Sequence, residues 1–515
     1  MPRLAVVSNR VSVPTRDGAN RAGGLEVALR PALQRNGGIW LGWSGKIGER
    51  DKLRTRCVVH KNVEYVVTDL TQDDFQEYYN GFANRVLWPI LHYRLDLAEF
   101  ARRDLSGYFR VNEQFASELE KVIAGDDLIW VHDYHLIPIA DALRRRGRSN
   151  RIGFFLHVPF PPPEVMAALP QHQQLIPLLM QYDVVGFQTA GDASNFVRYL
   201  ISECNQARDL RVVDTGSHQT TLSLNDRQTR IGHFPVGIEP RVFQRLARRN
   251  LRSPLVQELV ASLDGRLLVI GVDRLDYSKG LVQRLDAFDR FLGSHSDWIG
   301  KVTYLQITPS TSARSEIPEY AELEEALGAA AGRINGKFGE VAWTPIRYVN
   351  RVYSRATLAG LYRAARVGLV TPLRDGMNLV AKEYVAAQDP EDPGVLILSR
   401  FAGAAIEFRR ALLVNPYDPE SVARAIAQAL AMPLEERRAR HQSMLGAIQA
   451  YDIDRWQEDF LHTLRGDDGD GDDVRPTGVQ HGSEIIYPAS PALPIDDGQA
   501  DGRPVVKNSG RVRPQ

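Results

Sequence analysis

Two cations lie close together at the end of an apolar segment, in the sequence GVDRLDYSKG (271–280). Arg274 and Lys279 are five residues apart, and a segment of helical length follows them. Two fixed cations at a strand end suit a pyrophosphate or a departing phosphate, because they stabilise negative charge. The alternative is that both cations only form ion pairs with Asp273 and Asp276, which the spacing alone does not exclude.

A second candidate anion site lies in the sequence LRDGMNLVAKEYVAAQ (373–388). Gly376 permits a tight turn, and the amides that follow it would point out of the N-terminus of a helix. Glu383 comes one helical turn later, where a carboxylate could accept hydrogen bonds from two vicinal ribose hydroxyls. The pattern therefore predicts a site for a nucleotide diphosphate linked to a sugar. Helix capping by Asp375 or Asn378 is the alternative, but it does not explain the glutamate.

Near the start of the chain, a polar residue ends a strand-like run and a glycine pair precedes a helical segment. Arg10 ends the first apolar run, and Gly23 and Gly24 open the next helical segment. A glycine pair at a helix start lets backbone amides approach an anion, although such pairs are also common in simple turns.

Histidines and an aspartate follow two further apolar runs. His132, Asp133 and His135 end one run, and His157 ends the next. A metal site would require a ligand spacing that these residues do not show. Hydrogen bonds to neighbouring loops are a second possibility, and we favour a third, in which these groups bind a sugar or handle a proton.

Short apolar runs alternate with amphipathic segments along the chain, which predicts parallel sheets with crossover helices. Two sets of such units flank a hinge-like stretch at 230–243. We predict an α/β protein with two Rossmann-like, doubly wound parallel-sheet domains that face each other across a cleft. The predicted domains comprise residues 1–236 and 237–450. A helix at 451–465 is expected to cross back to the first domain, and the Gly- and Asp-rich tail from 466 to be disordered.

The composition narrows the class of function. The 515 residues include 63 Lys and Arg and 63 Asp and Glu, and this zero net charge disfavours nucleic acid as a partner. The two cysteines, Cys57 and Cys204, lack metal-site spacing and are expected to be reduced. The N-terminal apolar run is too short for a secretory signal, and no segment approaches the roughly 18 apolar residues of a membrane helix. We therefore predict a cytoplasmic protein that does not bind membranes.

Together these motifs resemble the trehalose-6-phosphate synthase family of retaining glycosyltransferases, which have the GT-B architecture. The resemblance runs from about residue 3 to about residue 464 and includes VVSNR, AGGL, EYYNGFANRVLWP, HDYHL, RIGFFLHVPFP, RLDYSKG and LRDGMNLVAKEYVAAQ. It implies a step of trehalose biosynthesis, the transfer of glucose from UDP-glucose to glucose 6-phosphate with release of UDP. It also implies that no metal or other cofactor is needed, and that the protein is a dimer or tetramer.

The resemblance further assigns roles to individual residues. Acceptor binding is expected of Arg10, Tyr79, Trp88, Asp133 and Arg314. Donor binding is expected of Gly23, Arg274, Lys279, Tyr353, Asp375, Gly376, Met377, Asn378, Leu379, Val380, Ala381, Lys382 and Glu383. The residues expected at the reacting centre are Asp133, His157, Arg274 and Lys279. For Lys382, pairing with a neighbouring acid or exposure to solvent is an equal alternative.

Two mechanisms would retain the sugar's configuration. A double displacement needs a carboxylate nucleophile and a second acid/base group about 5 Å apart, for which Asp133 and Asp375 are the candidates. The family implies instead a front-face reaction, in which the departing phosphate accepts the acceptor's proton.

Other functions also remain open. The donor could be ADP- or GDP-glucose, and the acceptor could differ, as in a glucosylglycerol-phosphate synthase or a pseudo-glycosyltransferase. A catalytically silent protein that binds sugar nucleotides is the alternative from another class.

Overall fold

Two β-sheets with parallel cores form the framework of the protein. The computed structural model describes residues 2–14, 29, 33, 37–49, 53–204, 209–216, 219–309 and 318–466. The strands are β1 (Leu4–Arg10), β2 (Gly38–Ile47), β3 (Thr55–His60), β4 (Val63–Leu70), β5 (Leu128–His132), β6 (Ile152–Phe155), β7 (Val184–Phe187), β8 (Leu210–Thr215), β9 (Gln219–Leu224), β10 (Arg227–His233), β11 (Leu267–Val272), β12 (Val302–Ile307), β13 (Ile346–Val349), β14 (Val367–Val370), β15 (Val395–Ser399) and β16 (Leu412–Val414).

The helices cover both faces of these sheets. They are Gln72–Asp74, Trp88–Leu91, Arg102–Glu120, Ile139–Arg145, Pro163–Met166, His172–Leu175, Ala190–Cys204, Pro240–Asn250, Pro254–Leu263, Leu281–Ser294, Pro318–Phe338, Arg355–Ala364, Leu379–Ala387, Ala404–Glu407, Pro419–Ala431, Leu434–Ala450 and Ile453–Arg465. A π-helix spans Phe75–Leu87, and single 3₁₀ segments occur at Leu95–Leu97, Tyr134–Leu136, Ile176–Gln181, Tyr277–Lys279 and Ser296–Trp298.

The first sheet has ten strands in the order β3-β4-β2-β1-β5-β6-β7-β10-β9-β8. The strands from β4 to β10 in this order are parallel, and β3, β9 and β8 pair antiparallel at the two edges. The central strands are buried along their length, as their nearly continuous apolar sequences predict.

The second sheet has six parallel strands in the order β13-β12-β11-β14-β15-β16. In this doubly wound order the strands are added toward one edge up to β13 and toward the other edge from β14, so the order switches between β11 and β14. Ligands bind outside the carboxyl ends of the strands at such a switch point. The predicted α/β fold with two parallel-sheet domains is confirmed.

The helix Ile453–Arg465 packs on the first sheet. Its Phe460 stacks on Trp130 of β5, with 4.6 Å between ring centroids. Gly153 of β6 and Gly186 of β7 leave room for this ring, since a Cβ on either would lie within 2.8 Å of it. Phe460 is fully buried, and full burial of one phenylalanine contributes roughly 1.5–3 kcal/mol to folding. This contact therefore stabilises the packing of the helix on the first sheet.

Candidate active site

The loop after β11 presents Arg274 and holds its acidic neighbours away from it. Asp276 accepts hydrogen bonds from the Ser278 amide and hydroxyl at 3.0 and 2.8 Å, which fixes the turn Tyr277–Lys279. Asp273 accepts a hydrogen bond from Arg284 at 2.7 Å. Arg274 remains half exposed and is 4.0 Å from Asp276. Local ion pairing therefore does not account for this cation.

Lys279 meets the turn that follows β14. Its ammonium donates to Asp375 Oδ2 at 2.6 Å, and Asn378 Nδ2 donates to the same oxygen at 3.1 Å. The Asn378 side chain also accepts from the Ala381 amide and caps the helix Leu379–Ala387. Capping, the alternative interpretation, is thus correct for Asn378, while Asp375 is directed to Lys279. The two candidate anion sites lie together at the switch point.

Arg284 supports both loops from beneath, and sequence reasoning missed it. Its guanidinium is buried and donates to Asp273 Oδ2, Gln306 Oε1, Thr371 Oγ1 and Lys279 O at 2.7–3.2 Å. These contacts join β11, β12 and the end of β14 to the loop that carries Lys279. The signal that could have found it is that Arg284, unlike Arg290, shares the apolar face of the helical segment LVQRLDAFDRFL with Leu281, Leu285 and Phe288.

Glu383 lies one turn into the helix that Asn378 caps. The nearest cation is Arg355, whose Nε is 3.7 Å from the carboxylate, and Arg355 also contacts Glu239. Burial raises the pKa of Glu383 to about 7, although 19% of the side chain is exposed. The carboxylate is thus enclosed at low polarity and can gain stability from a ligand's hydroxyl groups.

Tyr353 lines a groove at the carboxyl ends of β12 and β13. The groove has a volume of about 310 Å³, and Ile307 and Val349 are among its apolar walls. The groove opens at the same edge of the second sheet as the carboxyl end of β14, and the contact of Tyr353 to a nucleobase stays a prediction.

Lys382 differs from its neighbours in the predicted donor segment, because its contacts are within the protein. Its side chain is buried, and the ammonium donates to Val236 O at 2.9 Å and to Glu407 at 2.8 Å. Lys382 therefore joins this helix to the segment between the two domains. Other predicted donor residues lie at the turn or in the first turn of the helix: Gly376, Met377, Leu379, Val380 and Ala381.

Two of the predicted acceptor residues, Arg10 and Tyr79, lie beside Trp43 of the first domain. The Arg10 guanidinium lies 5.7 Å from the Trp43 ring, and the Tyr79 ring lies 5.8 Å from it. Tyr79 also stacks on His135 and belongs to the π-helix, a rare form that often marks functional sites. Two further predicted site residues, Gly23 and Arg314, lie outside the described residues.

Asp133 has a strained backbone at the end of β5. Its φ of 77° and ψ of 163° form a combination that costs a non-glycine residue about 1–3 kcal/mol. Its amide donates to Phe155 O at 2.8 Å, and its carboxylate accepts from the His157 amide at 3.4 Å. These bonds hold the carboxylate where β5 and β6 end, and strain of this kind is typical of functional positions.

His132, which is fully buried, and His157, which is partly exposed, form a pair beside Asp133. His157 Nε2 and His132 Nδ1 are 3.1 Å apart. Burial lowers the pKa of His157 to about 3. The pKa of His132 is lowered well below its usual value, mainly by burial and to a smaller extent by the neighbouring His157. Both rings are therefore neutral near pH 7.

The two domains touch at this point. Arg274 of the second domain lies over the ring of Trp88 in the first, 5.9 Å from its centroid. Gly376 lies against the backbone of His157, so that a Cβ added to it would overlap the His157 carbonyl oxygen. Predicted acceptor and donor residues thus converge on one site between the two sheets.

The described parts of the chain contain neither a cluster of metal ligands nor a membrane-spanning helix. Within these parts, no three His, Cys, Asp or Glu side chains are grouped as metal ligands would be. No helix of the described segments has both the length and the apolar character needed to cross a bilayer.

Comparison with known proteins gives consistent matches over nearly the whole described chain. The sequence model of glycosyltransferase family 20 matches residues 3–466. The trehalose-6-phosphate synthase of Sinorhizobium fredii (strain NBRC 101917 / NGR234) is 52% identical over 466 residues, which are 90% of this chain and 98% of the relative.

Solved structures agree with the sequence match. The UDP-forming α,α-trehalose-phosphate synthase from Burkholderia xenovorans in complex with glucose-6-phosphate has a TM-score of 0.85 and 46% identity, covering 90% of this chain and all of that one. The E. coli protein bound with UDP-2-fluoro glucose has a TM-score of 0.83 and 45% identity, covering 90% and 99%. On these grounds, and with two parallel-sheet domains meeting at one polar site, the chain belongs to glycosyltransferase family 20.

Proposed function

We propose that the protein transfers glucose from UDP-glucose to glucose 6-phosphate with retention, and so forms α,α-trehalose 6-phosphate and UDP. The observation that carries the proposal is that Lys279 and Asp375 meet at the switch point, while their neighbours Arg274 and Gly376 contact the other domain, at Trp88 and His157 respectively. Relatives of the same family have been solved with glucose-6-phosphate and with UDP-2-fluoro glucose, which supports both substrate choices.

The donor occupies the second domain in this proposal. Glu383 accepts hydrogen bonds from the ribose hydroxyls, and the first amides of the helix Leu379–Ala387 donate to the diphosphate. Arg274 and Lys279 stabilise the charge that develops on UDP as it departs. Asp375, held by Lys279 and Asn378, faces the glucose.

The acceptor occupies the first domain, with its phosphate near Arg10 and its sugar between Trp88 and Asp133. A phosphate satisfies the charge of Arg10, whereas plain glucose would leave that cation without its partner. This difference is the basis of the proposed selectivity for glucose 6-phosphate.

We propose the front-face mechanism rather than double displacement. The carboxylate of Asp375 already accepts hydrogen bonds from Lys279 and Asn378, which reduces its nucleophilicity. In the proposed step the bond from glucose C1 to the phosphate oxygen breaks, and a bond from C1 to the acceptor oxygen forms on the same face. The acceptor's hydroxyl proton moves to the departing phosphate, and no metal takes part.

UDP release is the test of this function. We expect release from UDP-glucose only when glucose 6-phosphate is present, slower release with ADP- or GDP-glucose, and no effect of a metal chelator. Arg274→Ala and Lys279→Ala should each lower kcat by about 100-fold with circular dichroism unchanged, because one preorganised contact contributes on the order of 3 kcal/mol. Release that ignores glucose 6-phosphate, or unchanged kcat in both variants, would refute the proposal.

We also propose that the enzyme is cytoplasmic and that it is a homo-oligomer, as the family resemblance implies. Light scattering of the purified chain tests the second statement, and a monomer at working concentration would contradict it.

A further inference from the structure

His132 has no assigned role, yet one of its ring nitrogens lies within hydrogen-bond distance of a ring nitrogen of His157. Its side chain is fully buried, and its Nδ1 lies 3.1 Å from His157 Nε2. One proton must lie between these two nitrogens, and in a neutral pair only one ring can supply it. Whichever ring donates decides whether the other nitrogen of His157, Nδ1, carries a proton or a lone pair.

The surroundings of His132 discriminate between the two arrangements. Its ring lies 4.6 Å from that of Trp130 and 6.5 Å from that of Trp456. His132 Nε2 and both indole nitrogens are buried and have no hydrogen-bond partner within the described residues. Indole nitrogen is only a donor, so this aromatic cluster already contains two unpaired donors.

A proton on His132 Nε2 would add a third unpaired donor to this cluster, and buried donors without a partner are costly. A lone pair on His132 Nε2 instead gives the cluster an acceptor beside the two indole donors. This places the His132 proton on Nδ1, from which it points at His157. His157 must then accept at Nε2 and keep its own proton on Nδ1.

We propose that His132 is a positioning residue, which donates from Nδ1 to His157 Nε2 and thereby makes His157 Nδ1–H a hydrogen-bond donor to the substrate. The role toward substrate rests on the proposed function, whereas the position of the protons does not. In this arrangement His157 cannot act as a base through Nδ1. It donates to an oxygen of the donor sugar or its phosphate, which agrees with a mechanism in which the phosphate accepts the proton.

The helix Ile453–Arg465 completes the arrangement. Its Trp456 lies 5.0 Å from Trp130 and 6.1 Å from His157, measured between ring centroids. The last helix of the described chain thus forms one wall of the pocket that sets the state of His157.

Nitrogen NMR of histidine-labelled protein tests the inference directly. The protein has 12 histidines, and comparison with His157→Asn and His132→Asn identifies the two signals. We expect both His132 and His157 to carry their protons on Nδ1. A proton on Nε2 of His157 would overturn the inference. This measurement needs no turnover, so it stands even if UDP release fails to show the proposed reaction.

Kinetics of His132 variants test the positioning role. His132→Phe keeps the ring but removes the donor, and we expect kcat to fall at least about tenfold, as for other orienting partners of histidine. The KM for glucose 6-phosphate should change less than about twofold. His132→Asn places an amide donor near the former Nδ1 and should recover most of the activity.

His441 offers a matched control, because it is also a buried histidine and contacts the Val385 carbonyl, within the second domain. His441→Phe should leave kcat near the wild-type value. A wild-type kcat in His132→Phe, or an equal loss in His132→Asn and His132→Phe, would contradict the positioning role. If His132→Phe does not fold, the NMR result on the unaltered protein decides.

Discussion

Replacing Gly376 with alanine tests whether direct contact between the two domains sets the reacting geometry. A Cβ on Gly376 would overlap the His157 carbonyl oxygen and lie 3.0 Å from its carbonyl carbon. It would also lie 3.1 Å from the carbonyl carbon of Val158. Both obstacles are backbone, so no side chain can turn away to make room. The φ of Gly376 is not in the left-handed region, so alanine adds bulk there without backbone strain.

The size of the effect follows from the overlap. A carbon and a carbonyl oxygen normally come no closer than about 3.3 Å, so the turn must retreat from the first domain by about 1 Å. The turn carries Asp375, and a misplacement of about 1 Å costs roughly 100-fold in rate. We therefore expect kcat/KM to fall about 100-fold, which corresponds to about 2.7 kcal/mol. UDP affinity should change less than about threefold, because the proposed UDP contacts all lie in the second domain.

UDP release measures the rate, and calorimetry measures UDP binding. Gly328→Ala is the matched control, because Gly328 lies in the helix Pro318–Phe338 and a Cβ there meets nothing within 4 Å. The control should keep full activity and gain roughly 0.5–1 kcal/mol of stability. Wild-type kcat/KM in Gly376→Ala would refute the reasoning, since it would mean that the reaction does not need this contact.

Three further predictions concern single charged groups. Arg10→Ala should raise the KM for glucose 6-phosphate at least about tenfold but the KM for UDP-glucose less than twofold, since Arg10 serves only the acceptor phosphate; equal increases would contradict that role. UDP affinity should fall by up to about tenfold from pH 8 to about pH 6, because burial raises the pKa of Glu383 to about 7 and protonation removes the carboxylate that the ribose binds. Calorimetry measures this affinity and should show no such dependence on pH in Glu383→Gln. Lys382→Met should lower the free energy of unfolding by about 3 kcal/mol in urea titrations, because Glu407 and the Val236 carbonyl lose their partner. A variant that keeps its stability but no longer binds UDP would instead support a donor contact.

The central parallel strands could be predicted from the sequence, because a strand that is buried on both faces has a nearly continuous apolar sequence. The run 266–275 became β11, and the run 366–372 became β14. The same runs led to Arg274 and to the turn with Asp375, because ligands bind outside the carboxyl ends of parallel strands and both polar residues follow such a strand. The roles of these residues toward substrates stay predictions.

Other features depend on contacts that no local pattern encodes. Lys382 and Glu383 are adjacent in sequence, but successive residues of a helix point about 100° apart, and only the packing shows that Lys382 is directed at Val236. The overlap of Gly376 with His157 and the pairing of His132 with His157 depend on how whole strands and domains meet. Arg284 could have been suspected from its apolar neighbours, but its four partners could not.

The return of the last helix to the first sheet also determines the order in which the chain can fold during synthesis. The strand β10 is made roughly 230 residues before the helix Ile453–Arg465 ends, and at about 5–20 residues per second this interval lasts about 10–50 s. Throughout it, Trp130 lacks the Phe460 ring that covers it in the finished protein. The first domain to leave the ribosome is therefore the last to be completed, and its apolar face needs protection from aggregation until the second domain has been made.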